Sequence, residues 1–303
     1  RMGYAFWTRA NGLRWRVMTS VLHLAARIGT VALAVADISR AVDFYTRVLG
    51  LALLDQQGDR TVLGAGGVVL MHLHALRGAQ RQPPRTTGLY HAAILLPTRA
   101  DLGRVLLNLM RTQYPISGFA DHLVSEAIYL DDPDGNGLEL YCDRPRETWE
   151  WEDGKQVRMA SEPLDVAGIL AEAGDLDAPF VGMPAGTVIG HMHLRVGDID
   201  QAETFYSGVI GFDVVARWHG ALFISAGGYH HHLGLNTWQS RGASRLPENS
   251  VGLREFSVVL PDSAAQRAVV DRLDAAGIRH QPAGTDFLVD DPWGNTLRLA
   301  RSG

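Results

Sequence analysis

The residues of this 303-residue chain most suited to chemistry are twelve histidines and a few carboxylates embedded in apolar runs. The single cysteine, Cys142, excludes an intrachain disulfide and a cysteine-based zinc site. Histidine and carboxylate therefore remain as candidate metal ligands and proton carriers. Glu139 stands between Leu138 and Leu140 in a run that reads as a strand, so its side chain points to the face opposite theirs. Burying that carboxylate without a cation is costly, which favours a ligand role. His91 lies in GLYHAAILLP, and His191 and His193 lie in IGHMHLRV, both apolar strand-like runs. One histidine on a sheet face is more often a satisfied core residue than a ligand; a matched set is not. A histidine run also occurs in GGYHHHLGLNTW (227–238), inside an apolar stretch. Period two predicts His230 and His232 on the face of Gly234, with His231 on the other. The Asp131-Asp132-Pro133-Asp134-Gly135 run superficially matches a calcium loop, but the rest of an EF-hand is missing and a turn is expected.

These residues need a scaffold, and an internal repeat supplies one. At an offset of 161 residues, IGTVALAVADISRAVDFYTRVLG (28–50) matches IGHMHLRVGDIDQAETFYSGVIG (189–211). GLYHAAILLP (88–97) matches GLREFSVVLP (252–261), and DDPDGNGLEL (131–140) matches DDPWGNTLRL (290–299). The chain is thus a duplication, with halves over 26–146 and 187–301 and a connector over 147–186 holding one helix near 164–173. Residues 1–25 read as a tail outside the fold, added by the vector or an extended reading frame, with Met18 as the candidate natural start. Each half holds two units. In the first, a strand over 28–35 leads to a helix started by Asp37 and stopped by Gly50. Strands over 51–56, 60–64 and 68–74 follow. In the second, a strand over 90–96 and a helix over 99–112 precede strands near 115–118, 124–130 and 137–142. The order is β-α-β-β-β four times over, an α+β class.

Composition agrees. With 46% apolar and 20% charged residues, a packed core is expected. A net charge of −5 offers no footprint for nucleic acid or an anionic membrane. No apolar run reaches the roughly 18 residues of a membrane span. A cytoplasmic protein is expected, and a homo-oligomer is compatible with the sequence.

Four such modules, with the xVxDIxxAxxFYxxVLG segments and the DPDGNxLEL turn-strand, resemble the vicinal oxygen chelate family. That family includes glyoxalase I, bleomycin-resistance proteins, fosfomycin-resistance enzymes and extradiol ring-cleaving dioxygenases. The resemblance covers about 270 residues. It implies four βαβββ modules paired into two cupped mixed sheets, with metal ligands drawn from the first and last strands of paired modules. The corresponding positions here are Thr30, His91, His191 and Glu255 on first strands, and Leu73, Glu139, Gly234 and Arg298 on last strands. Modules two and three hold His91, Glu139 and His191, with Gly234 vacant; Glu255 and Arg298 read as an ion pair. Two imidazoles and a carboxylate make the facial triad of non-haem Fe(II) oxygenases, and Mn(II) suits it too. Convergence of the three requires module 1 to pair with 4 and module 2 with 3, or an equivalent exchange between subunits.

Within the family, the resemblance is to extradiol dioxygenases of the four-module type, acting on a small aromatic diol with O2. It implies His232 as acid-base residue, with a fourth-ligand role as its alternative, and His230 second, Tyr129 as hydrogen-bond partner of a substrate oxygen, and His122 as a further pocket residue. His193 is expected to line the pocket, and His72 and His74 to be structural. Trp149, Trp151, Trp238 and Trp293 are candidate pocket walls. Two other functions fit the fold: a glyoxalase-like metal-dependent isomerase or lyase, and a bleomycin-resistance-type binding protein. In glyoxalase I a second glutamate occupies the Gly234 position.

Overall fold

A computed structural model describes residues 22–152 and 154–302. The expected tail falls mostly outside the described residues, but Leu22 is buried and its N–H donates to the Gly211 carbonyl at 3.1 Å. Module one comprises β1 (Arg27–Val35), α1 (Ile38–Asp43), β2 (Ala52–Gln57), β3 (Arg60–Ala65) and β4 (Val68–Ala75). Module two comprises β5 (Gly88–Leu95), α2 (Arg99–Arg111), β6 (Gly118–Asp121), β7 (Ser125–Asp131) and β8 (Gly137–Asp143). The connector adds a short hairpin, β9 (Trp151–Glu152) and β10 (Gln156–Val157), and α3 (Val166–Glu172), capped by Asp165. Module three comprises β11 (Val188–Arg195), α4 (Ile199–Glu203), β12 (Asp213–Trp218), β13 (Ala221–Ser225) and β14 (Leu233–Asn236). Module four comprises β15 (Gly252–Leu260), α5 (Ser263–Ala275), β16 (His280–Ala283), β17 (Asp286–Asp290) and β18 (Thr296–Arg301).

Helix starts follow the sequence: Asp37, Thr98, Asp198 and Asp262 accept backbone N–H groups of the first turn. After α1 and α4 the chain continues in π-helical turns (44–48 and 204–210) and stops at Gly50 and Gly211, both at positive φ. One strand is displaced from expectation. The run 115–118 gives way to β6 at Gly118–Asp121. Gln113 at φ 52° ends the preceding helix, and Pro115 has no N–H to give a ladder.

Each sheet has eight strands. One runs β16-β17-β18-β15-β1-β4-β3-β2, joining modules 4 and 1; the other runs β12-β13-β14-β11-β5-β8-β7-β6, joining modules 3 and 2. The central contacts are antiparallel, β1 on β15 and β5 on β11. The halves are nevertheless tied within themselves. Tyr45, from the repeated Phe-Tyr pair, donates to Asp132 of the module-two turn at 3.0 Å, and Tyr206 donates to Asp291 at 2.8 Å. Those turns are built by the aspartates: Asp132 accepts from the Asp134 and Asn136 N–H groups and from the Asn136 side chain. Asp291 does the same with Trp293 and Asn295. The two repeated motifs are therefore the two ends of one buried hydrogen bond. No described helix is long and apolar enough to cross a membrane.

Candidate metal centre and active site

Pairing of modules 2 and 3 sets β5 between β8 and β11, and each strand sends alternate side chains into the cup. From β8 come Glu139, Tyr141 and Asp143; from β11 come His191, His193 and Arg195. The β5–β11 ladder slips at Tyr90, since His193 pairs with His91 but Leu194 with Leu89. This bulge brings both Tyr90 and His91 against the His193 ring, each with ring centroids 4.9 Å away.

His91, Glu139 and His191 converge, each offering a ligand atom within 4.8 Å of the other two, and all are buried. Glu139 Oε2 lies 2.9 Å from His91 Nε2 and 3.0 Å from His191 Nε2. Only the His191 contact has hydrogen-bond geometry; His91 Nε2 and His191 Nδ1 are buried without a partner. An orphaned imidazole nitrogen facing a buried carboxylate is what a cation would satisfy. Burial pulls His191 down to about 4, so its ring is neutral at pH 7. Burial works to raise the Glu139 carboxyl, but the facing imidazoles outweigh it and hold the group well below its usual range. Neutral imidazole and ionised carboxylate are the states a divalent metal binds, so the donor set fits the expected ion.

Around this centre, Tyr129 pairs with Glu139 across β7 and β8, which puts it on the same face. Its hydroxyl lies 2.6 Å from His122 Nε2, while His122 Nδ1 lies 2.6 Å from the Ala160 carbonyl. His122 must therefore donate through Nδ1 and accept the Tyr129 proton at Nε2. Burial, then the Glu139 charge, raise the Tyr129 phenol well above its usual value, so it stays protonated. His193 Nε2 accepts from the Asn236 side chain at 3.0 Å, so its proton is on Nδ1.

The histidine run departs from the period-two expectation. Strand β14 begins only at Leu233, and the alternation breaks ahead of it. His231, not His232, faces the triad: its ring centroid is 4.1 Å from that of His191 and 5.1 Å from that of Phe223. His232 turns away. Its Nδ1 accepts the Ala226 N–H at 3.1 Å, its ring packs on Tyr229, and burial pulls it down to about 3. His230 is fully buried behind His231, with Nδ1 2.8 Å from His231 Nδ1 and Nε2 2.9 Å from Asp143 Oδ1. Asp143 also accepts from Tyr229, whose oxygen is 2.8 Å from that of Tyr141. His231, Tyr90, Asp143 and Arg195 escaped the sequence reading, the first two because a break in alternation and a bulge both defeat a strict period of two. Of the tryptophans, Trp238 packs on Tyr90 and His193, and Trp149 on His230. Trp151 packs on the apolar cluster that contains Trp149 and Phe223, and Trp293 lies against Gly197.

A sequence model described as the Glyoxalase/Bleomycin resistance protein/Dioxygenase superfamily matches residues 27–140 and 188–299. The chain belongs to this superfamily. It is 43% identical over 279 residues to a Bacillus subtilis (strain 168) protein named catechol-2,3-dioxygenase, spanning 91% of this chain and 96% of that one. Among solved structures, glyoxalase I from Zea mays superposes with a TM-score of 0.55 at 16% identity, over 91% of this chain and 92% of that one. A Bacillus subtilis subsp. subtilis str. 168 crystal structure gives a TM-score of 0.63 at 13% identity, over 94% and 86%. The solved structures bear on the fold alone, which is the superfamily's cupped architecture.

Proposed function

We propose that this superfamily member is an extradiol ring-cleaving dioxygenase that opens a catechol-type aromatic diol with O2. His91, Glu139 and His191 would hold one Fe(II), with Mn(II) as the other ion that suits the set. The carrying observation is the buried His91 Nε2, orphaned 2.9 Å from the Glu139 carboxylate. The 43% identity to a protein named catechol-2,3-dioxygenase supports the choice of reaction. When bound, the metal supplies Lewis-acid polarisation of the diol oxygens and a redox-active centre for O2.

The protein's own groups then handle protons and orientation. With its Nδ1–H donating to His230, His231 presents Nε2 as a free base toward the diol. A proton taken there sends the His231 Nδ1 proton on to His230 Nδ1. His230 then carries the positive charge, and the Asp143 carboxylate 2.9 Å from its Nε2 stabilises it. Return of that proton makes His231 the acid for the later step. Tyr129, neutral and with its O–H directed to His122, is placed beside Glu139 to accept a hydrogen bond from a substrate hydroxyl. The His193, Tyr90 and Trp238 rings pack together as one wall of the cup.

The test is anaerobic loading with Fe(II), followed by catechol and air. A yellow ring-fission product with one O2 consumed per diol is the expected result. Iron bound at one equivalent with no O2 uptake across mono- and bicyclic catechols would refute the reading.

A further inference from the structure

The third inward-facing residue of β11, Arg195, has no role in the chemistry above. Six described arginines are half-buried. Arg99, Arg144 and Arg298 hold carboxylates, and Arg254 and Arg272 hold backbone carbonyls. Arg195 holds neither. Its Nε is buried without a partner, and its guanidinium lies over the Tyr90 ring, 5.6 Å from the centroid. Leaving the buried Nε–H of a guanidinium unpaired is costly unless a ligand completes it. The cost has a direction, because Tyr90 is also the neighbour of the metal centre, with its ring 5.4 Å from that of His91. Arg195 is thus one aromatic ring removed from the triad, along the wall against which a chelated diol would lie.

We propose that Arg195 recognises a carboxylate on the substrate, carried on a short arm at the end of the ring remote from the two hydroxyls. The proposal rests on the dioxygenase reading and narrows it to catechols with an anionic side chain. A carboxylate suits the planar fork of a guanidinium, which offers two parallel N–H donors. The cation–π contact with Tyr90 restricts that fork before the substrate arrives, so less rotamer freedom remains to be lost. A neutral alkyl substituent at the same place would leave the fork unpaired and gain nothing from it.

Steady-state kinetics of the iron-loaded protein with 3,4-dihydroxyphenylacetate and 4-methylcatechol test this. We expect kcat/KM to favour the acid roughly 10- to 100-fold, mostly through KM, as a charge-assisted pair does. Arg195→Met should collapse that ratio, and Arg195→Lys should keep part of it. A wild-type ratio at or below unity, or a ratio unmoved by Arg195→Met, overturns the proposal. Should no catechol be cleaved with iron bound, the dioxygenase reading falls and Arg195 is judged by binding alone. In that case tryptophan fluorescence of the metal-free chain is titrated with 4-hydroxyphenylacetate and 4-methylphenol. Tighter binding of the acid, lost in Arg195→Met, upholds the anion site; equal binding removes it.

Discussion

The two sheets are built from the same repeated unit, yet they treat the floor of the cup differently. By register, His91 and Glu139 in one sheet correspond to Glu255 and Arg298 in the other, and His191 to Thr30. The fourth position needs a correction. Gly234 pairs with His193 as His72 pairs with Ala32, so its counterpart is His72 and not Leu73, which is in the core. In the module 1–4 sheet, Arg298 grips Glu255 through two bonds of 2.5 and 2.9 Å and also reaches Asp286 at 3.3 Å. The carboxylate there has a positive charge tethered to the chain. The module 2–3 sheet offers its carboxylate only imidazoles, so its positive charge must come from outside. On the proposed reading, that exchange of arginine for glutamate and its partners is what would fit the module 2–3 cup, and not the other, to a metal.

The sharpest way to break the comparison is to neutralise both carboxylates. Glu139→Gln should lower metal affinity and ring cleavage by at least about 100-fold, since losing even a ligand's hydrogen-bond partner costs 10- to 100-fold. Glu255→Gln should leave metal stoichiometry alone and cost about 1 kcal/mol of stability, the scale of a partly exposed pair. Metal analysis and urea denaturation of the two variants decide. A metal lost with Glu255 rather than Glu139 would invert the assignment of the two cups.

Within the module 2–3 sheet, His231 and His232 divide in the same fashion. His231→Phe should reduce kcat by about 10²- to 10⁴-fold, the range of a positioned acid-base group. His232→Phe should act on stability instead, because the Ala226 N–H loses its acceptor, at about 1–3 kcal/mol. Turnover and melting temperature measured on both variants separate the roles. A kcat loss confined to His232→Phe would restore the alternation argument.

Protonation distinguishes the sheets again. Burial pulls His191 to about 4 and His232 to about 3, and lowers His193 and His231 well below 6.5. These groups are neutral when folded, while the unfolded chain protonates them near pH 6.5. Their contribution to stability is therefore present above pH 6.5 and lost as pH falls toward 3–4. The metal-free protein should lose stability between pH 6.5 and 5, before carboxylates titrate, with a slope above the ~1.4 kcal/mol per pH unit of one proton. His72 and His74 in the other sheet are also lowered by burial, but they are half-exposed and contribute less. Urea midpoints at pH 7, 6 and 5 that do not change would refute the account.

Much of this was legible in the sequence because it rests on repetition. The 161-residue offset aligned module one with module three, and the identities at His91, Glu139 and His191 called for 1–4 and 2–3 pairing or an exchange between subunits; the sheets show the pairing within one chain. Neighbours of the site were less legible wherever the chain departs from even spacing. A bulge puts Tyr90 on the face of His91, and a bend before β14 exchanges His231 for His232. Numerical offset likewise paired Gly234 with Leu73, because it cannot register a slip of one residue between β4 and β14. Asp143 and Arg195 were legible in principle, as the third members of the alternating series from Glu139 and His191. Their partners, His230 and Tyr90, are distant in sequence and became visible only in the fold.

That one-residue slip also accounts for the glycine. In the module 2–3 sheet a large residue, His193, faces Gly234; in the module 1–4 sheet His72 faces a small one, Ala32. Large and small have changed places across equivalent strand pairs. A Cβ on Gly234 would lie 2.9 Å from the His193 ring, which Asn236 and the rings of Tyr90, His91 and Trp238 hold in place. Gly234→Ala should therefore cost about 1–3 kcal/mol, as overpacking does. In a His193→Ala background the same substitution should cost little, because the space it needs is already open. The resulting coupling energy, read from urea denaturation of the metal-free variants, should exceed about 0.5 kcal/mol. Additive effects would mean that the glycine answers to something other than the imidazole above it.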